Sequence, residues 1–150
     1  MPVIVVGADT PLGDHVLAAL ASREGEVRAF VSDEHIAGRL RAAGHRVAVG
    51  DVSDASHVSG AAFGCFSAVL LSEAAVDGRE RSFAADPGAV FAAWEQALAD
   101  AGITRSIWVG AAPPGRIAIP ETVVVDITDR APAEISAEVA DQDDRPPAGR

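Results

Sequence analysis

The stretch Val3 to Gly13, VIVVGADTPLG, decides how the rest of the chain reads. Four consecutive apolar residues, Val3 to Val6, suit a strand covered on both faces, as in a parallel sheet flanked by helices. Gly7 ends the run. Thr10 has the chemistry of a helix N-cap, and Pro11 falls at the first helical position, where its missing N–H costs nothing. A buried strand that feeds a helix through a glycine turn is the place where α/β proteins hold dinucleotide phosphates.

Outward from this unit the same pattern repeats. Leu12, Val16, Leu17 and Leu20 recur at helical spacing, and the helix runs out in the charged, glycine-containing segment Ser22 to Glu26. Val27 to Val31 is a second strand, with Ser32 or Asp33 capping a helix to about Ala43. Gly44 suits a helix C-terminus, and Arg46 to Val49 is a third strand. Ser53 or Asp54 caps a short helix to about Phe63, and Ala68 to Leu71 is a fourth apolar strand. A polar loop from Ser72 to Asp86 follows. Pro87 opens a helix whose Val90, Trp94, Ala97 and Leu98 share a face, Gly102 ends it, and Ser106 to Val109 is a fifth strand.

Strands alternating with helices at this spacing mean right-handed βαβ units. The expected fold is α/β: a doubly wound parallel sheet in the order 3-2-1-4-5, helices on both faces, with Thr122 to Ile127 as a sixth strand at the edge. Residues 1–128 are expected to form one domain. Residues 129–150, rich in Pro, Ala, Asp and Glu, are expected to be a largely disordered acidic segment.

Composition bounds the function. A chain of 150 residues suffices for one core that buries roughly 68–70% of its unfolded surface. The formal charge of −10 and pI near 4.6 would repel a phosphate backbone, so no nucleic-acid partner is expected. All twelve basic residues are arginines, and the chain has no lysine and no tyrosine. The single cysteine, Cys65, can form no disulfide within the chain and fits a reducing cytoplasm. No signal peptide and no run of eighteen apolar residues is visible, so no membrane partner is expected and a cytoplasmic location is.

Five stretches in order, VIVVGADTPLG, VRAFVSDE, GDVSDAS, FGCFSAVLL and AWEQALADAGITRSIWVGAA, resemble the atypical and extended short-chain dehydrogenase/reductases, the NmrA-like and nucleoside-sugar-epimerase-like Rossmann proteins. The resemblance covers about residues 3 to 112. It implies an NAD or NADP cofactor, with Gly7, Asp9, Thr10, Pro11, Leu12 and Gly13 at the pyrophosphate. In the family's GxxGxxG turn, Gly7 and Gly13 stand here and the middle position is Thr10, whose side chain either crowds the phosphate or offers it a hydroxyl. A Gly13→Asp change is expected to abolish binding and leave the fold intact, and Thr10→Gly to tighten binding.

At the end of the second strand the resemblance puts Ser32 and Asp33 beside the adenosine ribose. Asp33 favours NAD, although it sits a residue or two past the usual place, where the alternative role is a cap of the next helix; Arg28 and Arg39 are the arginines that could reach a phosphate. Asp51 and Val52 fall where the family contacts adenine, Asp51 being otherwise a turn residue. Leu71 and Ser72 fall beside the nicotinamide ribose, with Glu73 next to them as a solvated loop acid or a catalytic one. The family's Tyr-x-x-x-Lys pair has no counterpart, and Gly110-Ala111-Ala112 stands where its serine is expected, so no catalytic residue is assigned.

Other constellations read as structural. His15, His35, His45 and His57 lack ligand spacing, and no metal is expected. Cys65 beside Phe63 and Phe66 is a buried thiol sooner than a nucleophile. Trp94 and Trp108 fit core positions. Arg79, Glu80 and Arg81 offer either an anion grip or a solvated charged loop. Two functional readings remain: a dinucleotide-binding sensor or simple reductase, and a degenerate Rossmann domain, a pseudoenzyme, serving in interaction or assembly. The resemblance also implies a homodimer, paired through the helix after Pro87 or through the sixth strand.

Overall fold

The computed structural model describes residues 1–76 and 86–148. In chain order the elements are β1 (Val3–Val6), α1 (Pro11–Leu20), β2 (Val27–Val31), α2 (Glu34–Ala42), β3 (Arg46–Val49), α3 (Ala55–Ala62) and β4 (Ser67–Leu71). They continue with α4 (Glu73–Val76), α5 (Pro87–Ala101), β5 (Arg105–Val109), β6 (Glu121–Val125) and α6 (Pro132–Asp144). The strands form one parallel sheet in the order β3-β2-β1-β4-β5-β6. The doubly wound α/β fold and the edge position of the sixth strand are as the sequence predicts.

Alternation along each strand sends side chains to two separate cores. Val3, Val5, Ala29, Val31, Val69, Leu71, Ile107 and Val109 pack with Leu12, Val16, Leu17 and Leu20 of α1. Ile4, Val6, Phe30, Ala68, Leu70 and Trp108 pack on the other face with Val58 of α3 and Val90, Trp94 and Leu98 of α5. Every residue of β1, β4 and β5 is buried: β1 is apolar throughout, β4 is apolar after Ser67, and β5 is apolar after Arg105 and Ser106.

The segment expected to be disordered departs from that expectation. Pro132–Asp144 is helical and lies against α1, with Ile135 and Val139, four residues apart, inside the first core. Each such aliphatic side chain contributes about 1.5–3 kcal/mol on burial. The end of α6 is fixed by polar contacts. The buried Arg105 guanidinium donates to the carbonyls of Gln142, Asp143, Arg145 and Pro146 at 2.8–3.1 Å and pairs with Glu121 at 2.9 Å. Arg23 pairs with Asp143 at 2.5 Å. An acidic, alanine-rich helix is held by partners far away in sequence.

A second difference is local: Glu73–Val76 makes one helical turn at the start of what reads as a polar loop. Arg79, Glu80 and Arg81, read above as either an anion grip or a solvated charged loop, lie outside the described residues.

Candidate functional site

The register brings the carboxyl ends of the strands level. Val6 pairs with Phe30 and Leu70, Leu71 with Val109, Val109 with Val125, and Val31 with Val49. The residues that follow, Gly7, Ser32, Gly50, Ser72 and Gly110, therefore share one edge. From β1 the chain goes outward to β2 and β3 and then returns to place β4 on the other side of β1, so the strand order reverses between β1 and β4. In open α/β sheets that reversal makes a crevice for ligands.

At this crevice the turn from β1 to α1 is held from within. Gly7 has φ +87°, a conformation that suits glycine, and a Cβ there would lie 2.7 Å from the Ala74 Cβ. At Gly13 a Cβ would lie 2.4 Å from the Ala8 carbonyl oxygen, so the helix starts in direct contact with the turn. Any side chain at residue 13 therefore displaces backbone, and Gly13→Asp does not leave the local fold intact as the sequence reading expects. Thr10 caps α1: its Oγ1 accepts from the Gly13 N–H at 3.1 Å and donates to the Gly7 carbonyl at 2.8 Å. With the residue 2% exposed, its hydroxyl closes the turn from within. Pro11, exposed, has no N–H to offer, and the Leu12 N–H faces the Glu73 Oε1 at 3.5 Å.

Asp9 is buried, and its Oδ2 accepts from the backbone amides of Ser32 at 3.0 Å and Asp33 at 3.3 Å, tying the end of β2 to the turn. Asp33 caps α2, accepting from His35 and Ile36. Arg28 is not at this corner. It lies toward the amino end of β2, paired with Glu26 and donating to the Ala61 and Phe63 carbonyls. That contact, foremost its hydrogen bond with Arg28, holds the Glu26 carboxyl below its usual range. Arg39 pairs with Asp14 at 3.7 Å, on the flank of α1.

After β3, Asp51 Oδ1 accepts from the Ser53 N–H at 2.7 Å and its hydroxyl at 2.6 Å, the turn geometry named above as its structural role. The next residue, Val52, is fully buried, and its carbonyl accepts from Trp94 Nε1 at 2.8 Å. Trp94 and Trp108 are core residues, with ring centroids 6.1 Å apart and Phe91 against both. Leu71 is buried at the end of β4. Ser72 bonds through its N–H to the Val109 carbonyl, and its Oγ lies against Gly110.

One residue of this edge is hidden from sequence reasoning. Glu95, on α5 and 2% exposed, accepts from the Gly115, Arg116 and Ile117 amides at 2.9–3.2 Å, holding down the connection that follows β5. An acid beside Trp94 on a helix reads as surface charge, and only a backbone loop folded over it reveals otherwise. Cys65 is buried, and burial pushes its thiol pKa up, which suits an unreactive thiol. No helix among the described residues is long and apolar enough to cross a membrane.

Residues 7–117 match the model of a family described as NAD(P)H-binding. No curated protein matches at the sequence level. Among solved structures, an anaerobillin reductase from Escherichia coli O157:H7 superposes with TM-score 0.72 at 16% identity, over 98% of this chain and 92% of that one. A triphenylmethane reductase from Citrobacter sp., solved with NADP(H), gives TM-score 0.61 at 22% identity over 93% of this chain and 45% of that one. An NADPH-dependent quinone oxidoreductase from Escherichia coli gives 0.55 at 20%, over 71% and 34%. The chain spans less than half the length of the latter two. At these identities the likeness is one of fold.

Proposed function

The chain belongs to the NAD(P)H-binding family, and from that premise we propose that it binds a nicotinamide dinucleotide across the β1–β4 crevice and serves as a simple reductase that works by positioning. The observation that carries this reading is the close approach of Gly13 to the Ala8 backbone, which sets the start of α1 against the turn as a pyrophosphate site requires. In this reading Gly7, Asp9, Thr10, Pro11, Leu12 and Gly13 form the pyrophosphate turn. Ser32 and Asp33 lie at the adenosine ribose, Asp51 and Val52 at the adenine, and Leu71 and Ser72 at the nicotinamide ribose. Asp9 and Asp33 put two carboxylates at the corner where a 2′-phosphate would lie, which favours NAD over NADP.

When bound in reduced form, the dinucleotide supplies a hydride. The chain's residues orient it: Leu71 and Ser72 form the floor, and Glu95 fixes the connection beyond β5 that bounds the acceptor side. The family's tyrosine acid and its lysine are absent from the chain, so the fitting substrate in this reading is a conjugated, electron-poor acceptor that takes a hydride without that pair. The structural neighbours include an NADPH-dependent quinone oxidoreductase and a triphenylmethane reductase. The reading as a degenerate interaction module is not favoured, because the family match runs through the whole crevice.

Calorimetric titration with NADH and NADPH, followed by NADH oxidation in the presence of a quinone, tests the proposal. Micromolar binding, tighter for NADH, with quinone-dependent oxidation is expected. Binding without oxidation leaves a sensor, and no heat from a folded protein overturns the assignment.

A further inference from the structure

We propose that Glu73 sets the affinity of the dinucleotide site by holding the hydrogen-bond donor that a pyrophosphate needs, so that binding requires its carboxylate to turn away from α1; this rests on the dinucleotide reading above. The first turn of a helix offers backbone N–H groups that lack partners within the helix. In α1 that supply is short. Pro11 has none, and the Gly13 N–H is taken by Thr10 Oγ1 at 3.1 Å. The Leu12 N–H remains, and Glu73 Oε1 stands 3.5 Å from its nitrogen. A carboxylate is favoured at a helix N-terminus for the same reason that a phosphate is. Two anions therefore compete for one donor.

The backbone on either side of Glu73 is pinned. Ala74 already packs on Gly7, where a Cβ would meet it at 2.7 Å. Before it, the Ser72 N–H is bonded to the Val109 carbonyl, and the Ala75 N–H to the Ser72 carbonyl. Relief must come from rotation of the side chain, and Glu73 is only partly buried, which permits it. The other acids at this edge are engaged at shorter range: Asp9 with the β2 amides, Asp33 with the start of α2, and Asp51 with Ser53, all through contacts of 2.6–3.3 Å. Glu73 makes the longest contact and is the carboxylate that moves.

The test is calorimetric titration of the wild type, Glu73→Gln and Glu73→Ala with NADH and with ADP-ribose, which carries the pyrophosphate but no nicotinamide. Asp14→Asn serves as the control. It removes the same charge from the same helix turn, but its side chain is 55% exposed and pairs with Arg39. Both Glu73 variants are expected to bind both ligands about tenfold more tightly or better, the scale of removing one like charge at close range. Asp14→Asn should stay within about twofold of wild type, as screened surface charges do. Unchanged or weaker binding by the Glu73 variants, with normal wild-type binding, overturns the role of Glu73 and leaves the dinucleotide reading standing. An equal gain in Asp14→Asn also overturns it, since general charge would then be the cause. If no protein binds either ligand, the dinucleotide reading falls and this inference with it.

Discussion

Thr10 shows how a single hydroxyl can serve two orphaned groups at once, the Gly13 N–H and the Gly7 carbonyl. Thr10→Ala should cost about 1 kcal/mol, the usual loss for an N-cap, and lower Tm by roughly 2–4 °C. Thr10→Ser should keep most of that stability, and thermal melts of the two variants check both outcomes. The cap was legible in the sequence because threonine before proline is a local signal. Which way the hydroxyl points was not, because Gly7 and Gly13 fix its surroundings only once the turn has closed. Glu95 was illegible for a stronger reason. The three amides it accepts from lie about twenty residues further along the chain, and nothing in its own helix foretells them.

Among elements, α6 separates what periodicity can reveal from what it cannot. Its apolar content is small, and its helical register rests on Ile135 and Val139 meeting α1 and on Arg105 collecting its last carbonyls. Ile135→Ala should therefore destabilise the protein by about 2–5 kcal/mol, as a buried aliphatic truncation does. Urea unfolding would measure it, and a loss below about 0.5 kcal/mol would mean that α6 contributes little to the core. The strands β1, β4 and β5, by contrast, were legible from the apolar runs Val3–Val6, 68–71 and 107–109, which burial on both faces favours. The amino acids of α6 resemble those of a solvated tail, since its partners are tertiary and its own propensity is modest.

For the whole molecule, the alternation of strands and helices made the topology legible, and the topology in turn fixed the crevice between β1 and β4. The turn that lines it was visible in the sequence, whereas the competition for its donors needed coordinates. Because a dinucleotide would bridge the turn after β1 and the ends of β2, β3 and β4, its binding should stabilise the entire fold. At a free concentration about 100 times Kd, NADH should add about 2.7 kcal/mol and raise Tm by roughly 5–10 °C. Unshifted melting at that concentration would place the ligand away from the sheet edge. The indole pair supplies a further consequence. With no tyrosine in the chain, ultraviolet emission comes chiefly from two buried tryptophans, and one of them grips the Val52 carbonyl at the proposed adenine corner. Reduced nicotinamide absorbs where indole emits. The protein thus carries its own donor dye, and quenching by energy transfer would report occupancy of the crevice with no label attached.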